Sequence, residues 1–177
     1  LKLAGNETSL ANLEFDWAQL YLNRRNFVEA DRLITSGLGY ARQNNDLRAL
    51  VTGFQRQAQL NYRQYRDTGE EVFFDKAMNN YLSCFEFQKE DLYFLYMQIG
   101  NIYQRRAFNN TGTERQIYAD VDSAIISYRR ALIETRKEGA LRVMEKHLNR
   151  SPLDHKIILS TGSHPKAKEA VKSIFGL

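Results

Sequence analysis

The fold is decided by the stretch Ile99-Gly100-Asn101-Ile102-Tyr103 and by the segment that follows it after a loop. In that second segment Ala124, Tyr128 and Ala131 recur at spacings of four and three residues. Residues at these spacings lie on one face of a helix, so the segment presents a single apolar stripe. A small residue between large apolar ones, as at Gly100, allows a second helix to approach closely. The two segments together predict a pair of packed helices.

The same pattern occurs twice more, upstream of the clearest copy. The small-residue position is occupied by Ala18, Gln59 and Gly100, which are 41 residues apart. A fixed period of about 20 to 50 residues is typical of stacked repeats, and here it favours repetition over coincidence. The residues that carry the two further copies are Trp17, Ala18, Tyr21, Phe27, Ala30, Ile34 and Gly37, and then Ala58, Tyr62, Phe74, Ala77, Tyr81 and Cys84.

The apolar spacing and the turn residues predict an all-α chain of seven or eight helices. We expect an array in residues 1–150 and an irregular C-terminal tail in 151–177, where Ser163-His164-Pro165 predicts the start of a short helix through Ile174. That tail would cap the apolar end of the array. The predicted helices cover 10–25, 27–43, 46–66, 71–87, 89–108, 116–137 and 139–149.

Residues 10–136 resemble the tetratricopeptide repeat (TPR) family, in a variety with a repeat of about 40 residues. The period exceeds the family's usual repeat of about 34 residues by roughly two helical turns. The resemblance implies antiparallel helix pairs stacked into a curved, right-handed α-solenoid that binds partners in its concave groove. The chain departs from the family pattern at Gln59, and no proline closes its repeats.

Carried over by position, the resemblance implies twelve residues lining that groove. Arginines and amides alternate there with apolar side chains, which suits a partner segment that is acidic and partly apolar. Phe15 and Gln19 stand where chaperone-binding members need Lys and Asn, so a cochaperone is disfavoured. The groove residues are Asn12, Phe15, Gln19, Asn23, Arg56, Leu60, Arg63, Gln64, Phe94, Met97, Asn101 and Arg105.

The sequence offers little that indicates catalysis, a metal or a cofactor, and we expect none of them. Cys84 is the only cysteine, which excludes an internal disulfide framework, and its place on an apolar helical face predicts a buried, inert thiol. The segment Ser160–Lys166 has the composition of a capped helix start, and the acidic residues of the last repeat predict a solvated helix N-terminus. These acids are Glu114, Asp120 and Asp122. The histidines, for which we likewise expect no metal-binding role, are His147, His155 and His164.

Charge and composition leave three classes of function open. No apolar run reaches the roughly twenty residues that span a bilayer, and we expect a cytoplasmic protein, although the first residue, Leu1, leaves room for a removed targeting sequence. Residues 1–128 carry a net charge of −2 and residues 129–177 one of +6. The expected function is that of a protein-binding adaptor or scaffold without a small-molecule substrate. The alternatives are an effector- or peptide-sensing segment of a larger regulator, and RNA binding through the basic C-terminal part.

Overall fold

The computed structural model describes residues 4–109 and 113–134, with side chains from residue 10 onward. This described part contains six α-helices and no strand, so the prediction of an all-α fold is confirmed for it. The predicted helix over 139–149, the tail over 151–177 and its short helix lie outside the described residues. The helices are α1 (Ala4–Asn23), α2 (Phe27–Gln43), α3 (Leu47–Thr68), α4 (Glu71–Phe87), α5 (Tyr93–Asn109) and α6 (Glu114–Glu134).

Capping groups define the short loops of the first compact unit, which spans Leu1–Glu90 and holds α1 to α4. Asn26 and Asp46 begin α2 and α3, because each side chain accepts a hydrogen bond from a backbone N–H three residues later. Gly69 ends α3 in the left-handed conformation with a φ of 75°, and its N–H donates to the carbonyl of Tyr65 at 2.8 Å. Loops this short bring consecutive helices together as antiparallel neighbours.

Aromatic side chains hold the antiparallel pairs of the first unit together. The Phe54 and Phe87 rings stack with centroids 6.0 Å apart, and Tyr65 and Phe74 form a T-shaped pair with centroids 5.7 Å apart, so α3 pairs with α4 along its length. In the α1–α2 pair the ring of Phe15 lies directly against Gly37.

The helices α1 and α3 run side by side in the same direction. Gln19 bonds to Arg56, and Arg25 pairs with Asp67 at 2.6 Å, so contacting residues are separated by 37 to 42 positions along the chain. This offset matches the predicted repeat period of 41 residues. The periodicity therefore corresponds to a real side-by-side arrangement of two helix pairs within the first unit.

In the middle repeat, the small-residue position predicted at Gln59 is not where α3 meets its neighbours most closely. Ala58 is fully buried, whereas Gln59 is half-buried and accepts a hydrogen bond from Arg56 at 3.2 Å. The close approach of α3 to α1 and α2 occurs instead at Gly53, where a Cβ would clash with the side chains of Leu38 and Phe15. The sequence period alone could not reveal this, because it locates a helix pair but not which small residue meets the neighbour.

The second unit, which begins at Asp91, contains the antiparallel pair α5 and α6 in its described part. A Cβ on Gly100 would lie 2.8 Å from Cε1 of Tyr128, and Ala124 and Ala131 share the buried core with that ring. The predicted close contact at Gly100 is thus confirmed, with an aromatic ring of α6 as the neighbour.

The interpretation of the acidic residues of α6 as a solvated helix start is wrong for Asp120. Its carboxylate is buried and accepts a bidentate pair of bonds from Arg106, Nη2 to Oδ1 at 2.7 Å and Nε to Oδ2 at 2.8 Å. Gln116 donates a third bond at 3.0 Å. Because Asp120 lies on the same side of the helix as Ala124, it faces α5, where a paired guanidinium offsets the cost of its burial. Glu114 and Asp122 are exposed, as expected.

Candidate partner-binding face

Four of the predicted groove residues come together where α1 lies beside α3. Nη1 of Arg56 donates to Oε1 of Gln19 at 2.8 Å, and Nη2 of Arg63 donates to Oδ1 of Asn23 at 3.1 Å. Arg63 also donates through Nη1 to the carbonyl of Leu22 at the end of α1. We call the surface formed by Gln19, Asn23, Arg56 and Arg63 the α1–α3 polar face.

The electrostatics of the α1–α3 polar face favour an anion. Burial lowers the pKa of Arg63, and the neighbouring guanidinium groups of Arg66 and then Arg56 lower it further, against an opposing effect of Asp67. The carboxylate of Asp67 is already bonded to Arg25 at 2.6 Å. Nε of Arg56 is buried, and no acceptor among the described residues lies within hydrogen-bond distance of it. A carboxylate placed beside these guanidinium groups would offset their mutual repulsion.

The remaining first-unit candidates divide between surface and core. Asn12 is exposed and Gln64 is half-buried, so both are accessible to a partner. Phe15 and Leu60 belong to the hydrophobic core, where the Phe15 ring fills the space left by Gly37 and Gly53. The two apolar residues therefore support the polar face from beneath, and we remove them from the candidate site.

The other four predicted groove residues lie in the second unit. Met97 is buried in the α5–α6 core, which removes it from the candidate site. Oδ1 of Asn101 accepts a bond from the Tyr128 hydroxyl at 2.7 Å, so this oxygen stabilises the helix pair. Phe94 is half-buried. The guanidinium of Arg105 lies 5.7 Å from the centroid of the Phe108 ring, and its Nε is buried with no acceptor in the described part.

An exposed apolar stripe on α1 is the feature that sequence reasoning missed. Trp17 was assigned to the packing pattern, but its side chain is half exposed and aligns with three exposed leucines. The spacing of these residues is itself helical. The two sets are hard to tell apart in the sequence, because the core residues of α1 are also spaced three and four apart and interleave with the exposed ones. The exposed residues are Leu10, Leu13, Trp17 and Leu20, and the core residues are Ala11, Phe15, Ala18 and Leu22.

The described residues offer no cluster suited to metal binding, and the thiol of Cys84 is not activated as a nucleophile. No three of the His, Cys, Asp and Glu residues in 4–109 and 113–134 lie close enough to share an ion. Burial raises the pKa of the Cys84 thiol to about 12, which keeps it protonated at neutral pH. Within the same residues, no helix combines the length and apolar character needed to cross a bilayer. The three histidines and Ser160–Lys166 lie outside the described residues.

The α1–α3 polar face offers hydrogen-bonding groups and positive charge at one surface. Its guanidinium groups donate in fixed planar geometry to carboxylates or carbonyl oxygens, while the amides both donate and accept. Comparisons with protein-family models, with curated proteins and with solved structures find no match. The chemistry of this face therefore carries the functional argument.

Proposed function

We propose that this chain is a protein-binding module of the adaptor or scaffold kind. Its α1–α3 polar face would take an extended, acidic and partly apolar segment of a partner protein. The observation that carries the proposal is the pair Arg56 and Arg63, two partly buried guanidinium groups seven residues apart on α3, with Arg56 among the groups that lower the pKa of Arg63. Asp67 is the carboxylate that raises the pKa of Arg63, and it is already paired with Arg25.

The arrangement of the first unit supports a TPR-like solenoid for this module. Antiparallel pairs α1–α2 and α3–α4, with their first helices side by side at an offset of 37 to 42 residues, match what the sequence resemblance implies. In such an array the first helices line the concave surface. The polar face consists entirely of first-helix residues, which is the place where a groove ligand would bind.

A ligand at this face would replace hydrogen bonds that the free protein makes internally. Both arginines donate to neutral amide oxygens of α1, which hold the guanidinium planes in position. An incoming carboxylate accepts more strongly than an amide, and such charge-assisted bonds contribute about 1.5–3 kcal/mol each. Gln19 and Asn23, once displaced, would be free to bond the backbone of an extended segment.

The test uses a short peptide rich in Glu and Leu, with prolines that keep it extended. We expect the double variant Arg56→Gln with Arg63→Gln to bind it at least tenfold more weakly than the unchanged chain. The matched control is Arg42→Gln with Arg48→Gln, which removes the same charge from two exposed arginines elsewhere in the first unit and should leave affinity unchanged. Raised salt should weaken binding to the unchanged chain in the same direction. Equal affinity of both double variants would overturn the proposal.

A further variant tests the RNA-binding alternative. Replacing Lys166, Lys168 and Lys172 by Gln should leave peptide binding unchanged and abolish any binding of single-stranded RNA, because phosphate contacts depend on these charges. Loss of the peptide by this tail variant, with retention by the arginine variants, would make the basic C-terminal part the working surface.

A further inference from the structure

The exposed stripe of α1 is a continuous apolar surface on a helix that is already packed on its other side. The side chains of Leu10, Leu13, Trp17 and Leu20 are 41%, 52%, 52% and 56% exposed. Their spacings of three, four and three residues align them along one line of the helix. Single exposed apolar residues are ordinary, but an aligned set with a central tryptophan is typical of a binding surface.

The contacts of α1 show that the stripe faces away from its neighbours. Glu14 bonds to Ser36 of α2, and Gln19 bonds to Arg56 of α3, which fixes the two sides of α1 that face other helices of the unit. At about 100° per residue, the stripe lies roughly opposite the core positions of the same helix. No other helix of the first unit covers it.

The edges of the stripe are acidic. Asp16 is exposed on the edge nearer α3, and Glu14 lies on the edge nearer α2. Oε1 of Glu14 accepts only a long bond of 3.3 Å from the Ser36 hydroxyl. Its Oε2 is buried, and no donor among the described residues reaches it. The two edges thus each carry a carboxylate, Glu14 within electrostatic range of Arg32 of α2 and Asp16 exposed to solvent, which lysine or arginine side chains of a partner would complement.

These charges decide against a second copy of the chain as the occupant. The three-four-three spacing is symmetric about position 15, so two α1 helices could align their stripes in antiparallel orientation. That pairing would place Glu14 beside its own symmetry mate and Asp16 beside its own. Facing carboxylates repel, and flanking charges of this kind govern partner choice between helices. The same charges disfavour an anionic membrane surface.

We propose that the α1 stripe binds an amphipathic helix of another protein, with leucine-like residues at three-four spacing and lysine or arginine along both edges. The helix would bury the leucines and Trp17, and its basic edge residues would reach Glu14 and Asp16. This surface is separate from the α1–α3 polar face, and the inference stands independently of the function proposed above.

Trp17 is the only tryptophan in the chain and reports directly on this surface. The probe is a designed helical peptide with Leu at three-four spacing and Lys at both edges, and its control is the same peptide with Glu in place of Lys. We expect the Lys peptide to shift the Trp17 emission to shorter wavelength as the ring is buried, and to bind at least tenfold more tightly than the Glu peptide. Equal binding of the two peptides, or no shift with either, would overturn the proposal.

The variants keep the fold, because every changed residue is exposed. Leu13→Gln with Leu20→Gln should weaken binding of the Lys peptide at least tenfold. Val28→Gln with Leu82→Gln removes two exposed apolar residues from α2 and α4 and should leave binding unchanged. Asp16→Lys should reduce the preference for the Lys peptide. A blue-shifted Trp17 emission and a dimeric mass by light scattering in the absence of peptide, both lost in Leu13→Gln with Leu20→Gln, would overturn the proposal in favour of a second copy.

Discussion

At the scale of single residues, two helical glycines of this chain occupy opposite environments. A Cβ on Gly100 would press into the Tyr128 ring, whereas one on Gly39 would meet nothing within 4 Å. We expect Gly100→Leu to lower the free energy of unfolding by about 1–3 kcal/mol through overpacking. Gly39→Ala should raise it by about 0.5–1 kcal/mol, because alanine favours a helix interior. Urea denaturation followed by circular dichroism measures both. An unchanged stability of Gly100→Leu would contradict the α5–α6 contact.

Tyr81 is a second residue whose replacement should raise the free energy of unfolding. Its ring is fully buried and its hydroxyl has no hydrogen-bond partner among the described residues. Burial, ahead of the nearby Cys84 and Tyr62, raises its pKa well above the usual value of 10.0. Tyr81→Phe removes a polar group that is buried without compensation, so we expect the free energy of unfolding to rise by about 1 kcal/mol.

Tyr128→Phe is the matched control, because the Tyr128 hydroxyl donates to Asn101 at 2.7 Å. This variant should lose about 0.5–1.5 kcal/mol. The pH dependence gives an independent check on Tyr81. Its contribution to stability is fully present below the unfolded pKa near 10 and is lost as the pH rises through the higher folded value. Tyr81→Phe should therefore flatten the alkaline decline in stability, and an unchanged decline would contradict the assignment.

At the scale of the helices, one buried ion pair fixes how α6 packs on α5. The side chains of Arg106 and Asp120 are only 18% and 3% exposed. Asp120→Ala would leave the guanidinium buried without its partner, so we expect a loss of about 3–5 kcal/mol. Asp122→Ala removes the same charge from an exposed position of the same helix and should change stability by no more than about 0.5 kcal/mol. Hydrogen exchange across α5 and α6 would show the difference, and similar protection in both variants would contradict it.

Helix boundaries were predictable where caps and apolar spacing agree. The bounds predicted for α2 and α4 match the observed ones, and Gly69 ends α3 close to the predicted position. The start of α5 was predicted at residue 89, but the helix begins at Tyr93. Asp91 adopts a φ of 51°, which no helix accommodates. In sequence, polar residues that precede a helix resemble the residues of its first turn. Only the backbone conformation distinguishes the two groups of residues.

The candidate site was predictable only in part, for a reason that lies in the packing. The repeat offset of about 40 residues brought Gln19 and Asn23 together with Arg56 and Arg63, and spacing alone sufficed for that. Spacing could not show that Phe15 is buried while Gln19 lies at the surface, because residues four positions apart lie on the same side of a helix. What buries Phe15 is the absence of side chains at Gly37 and Gly53 on two other helices.

At the scale of the whole molecule, helices account for nearly all of residues 4–109 and 113–134. The prediction is a far-UV circular dichroism spectrum dominated by helix, and a spectrum dominated by strand would contradict it. The uneven charge, −2 in residues 1–128 and +6 in 129–177, belongs to this scale too. The proposed peptide-binding face and the basic residues of the RNA-binding alternative therefore lie in different parts of the sequence, so that separate variants test them.

Cys84 lies between α3 and α4, where its thiol donates to the carbonyl of Asn80 at 3.4 Å. Alkylating reagents attack the thiolate, so the buried group reacts only when the two helices part transiently. The ratio of its labelling rate to that of a free thiol then measures how often this opening occurs. Because α3 also supplies Arg56 and Arg63, a partner bound there would slow the reaction. The one thiol of the chain can thus report the binding of a proposed partner that carries no label of its own.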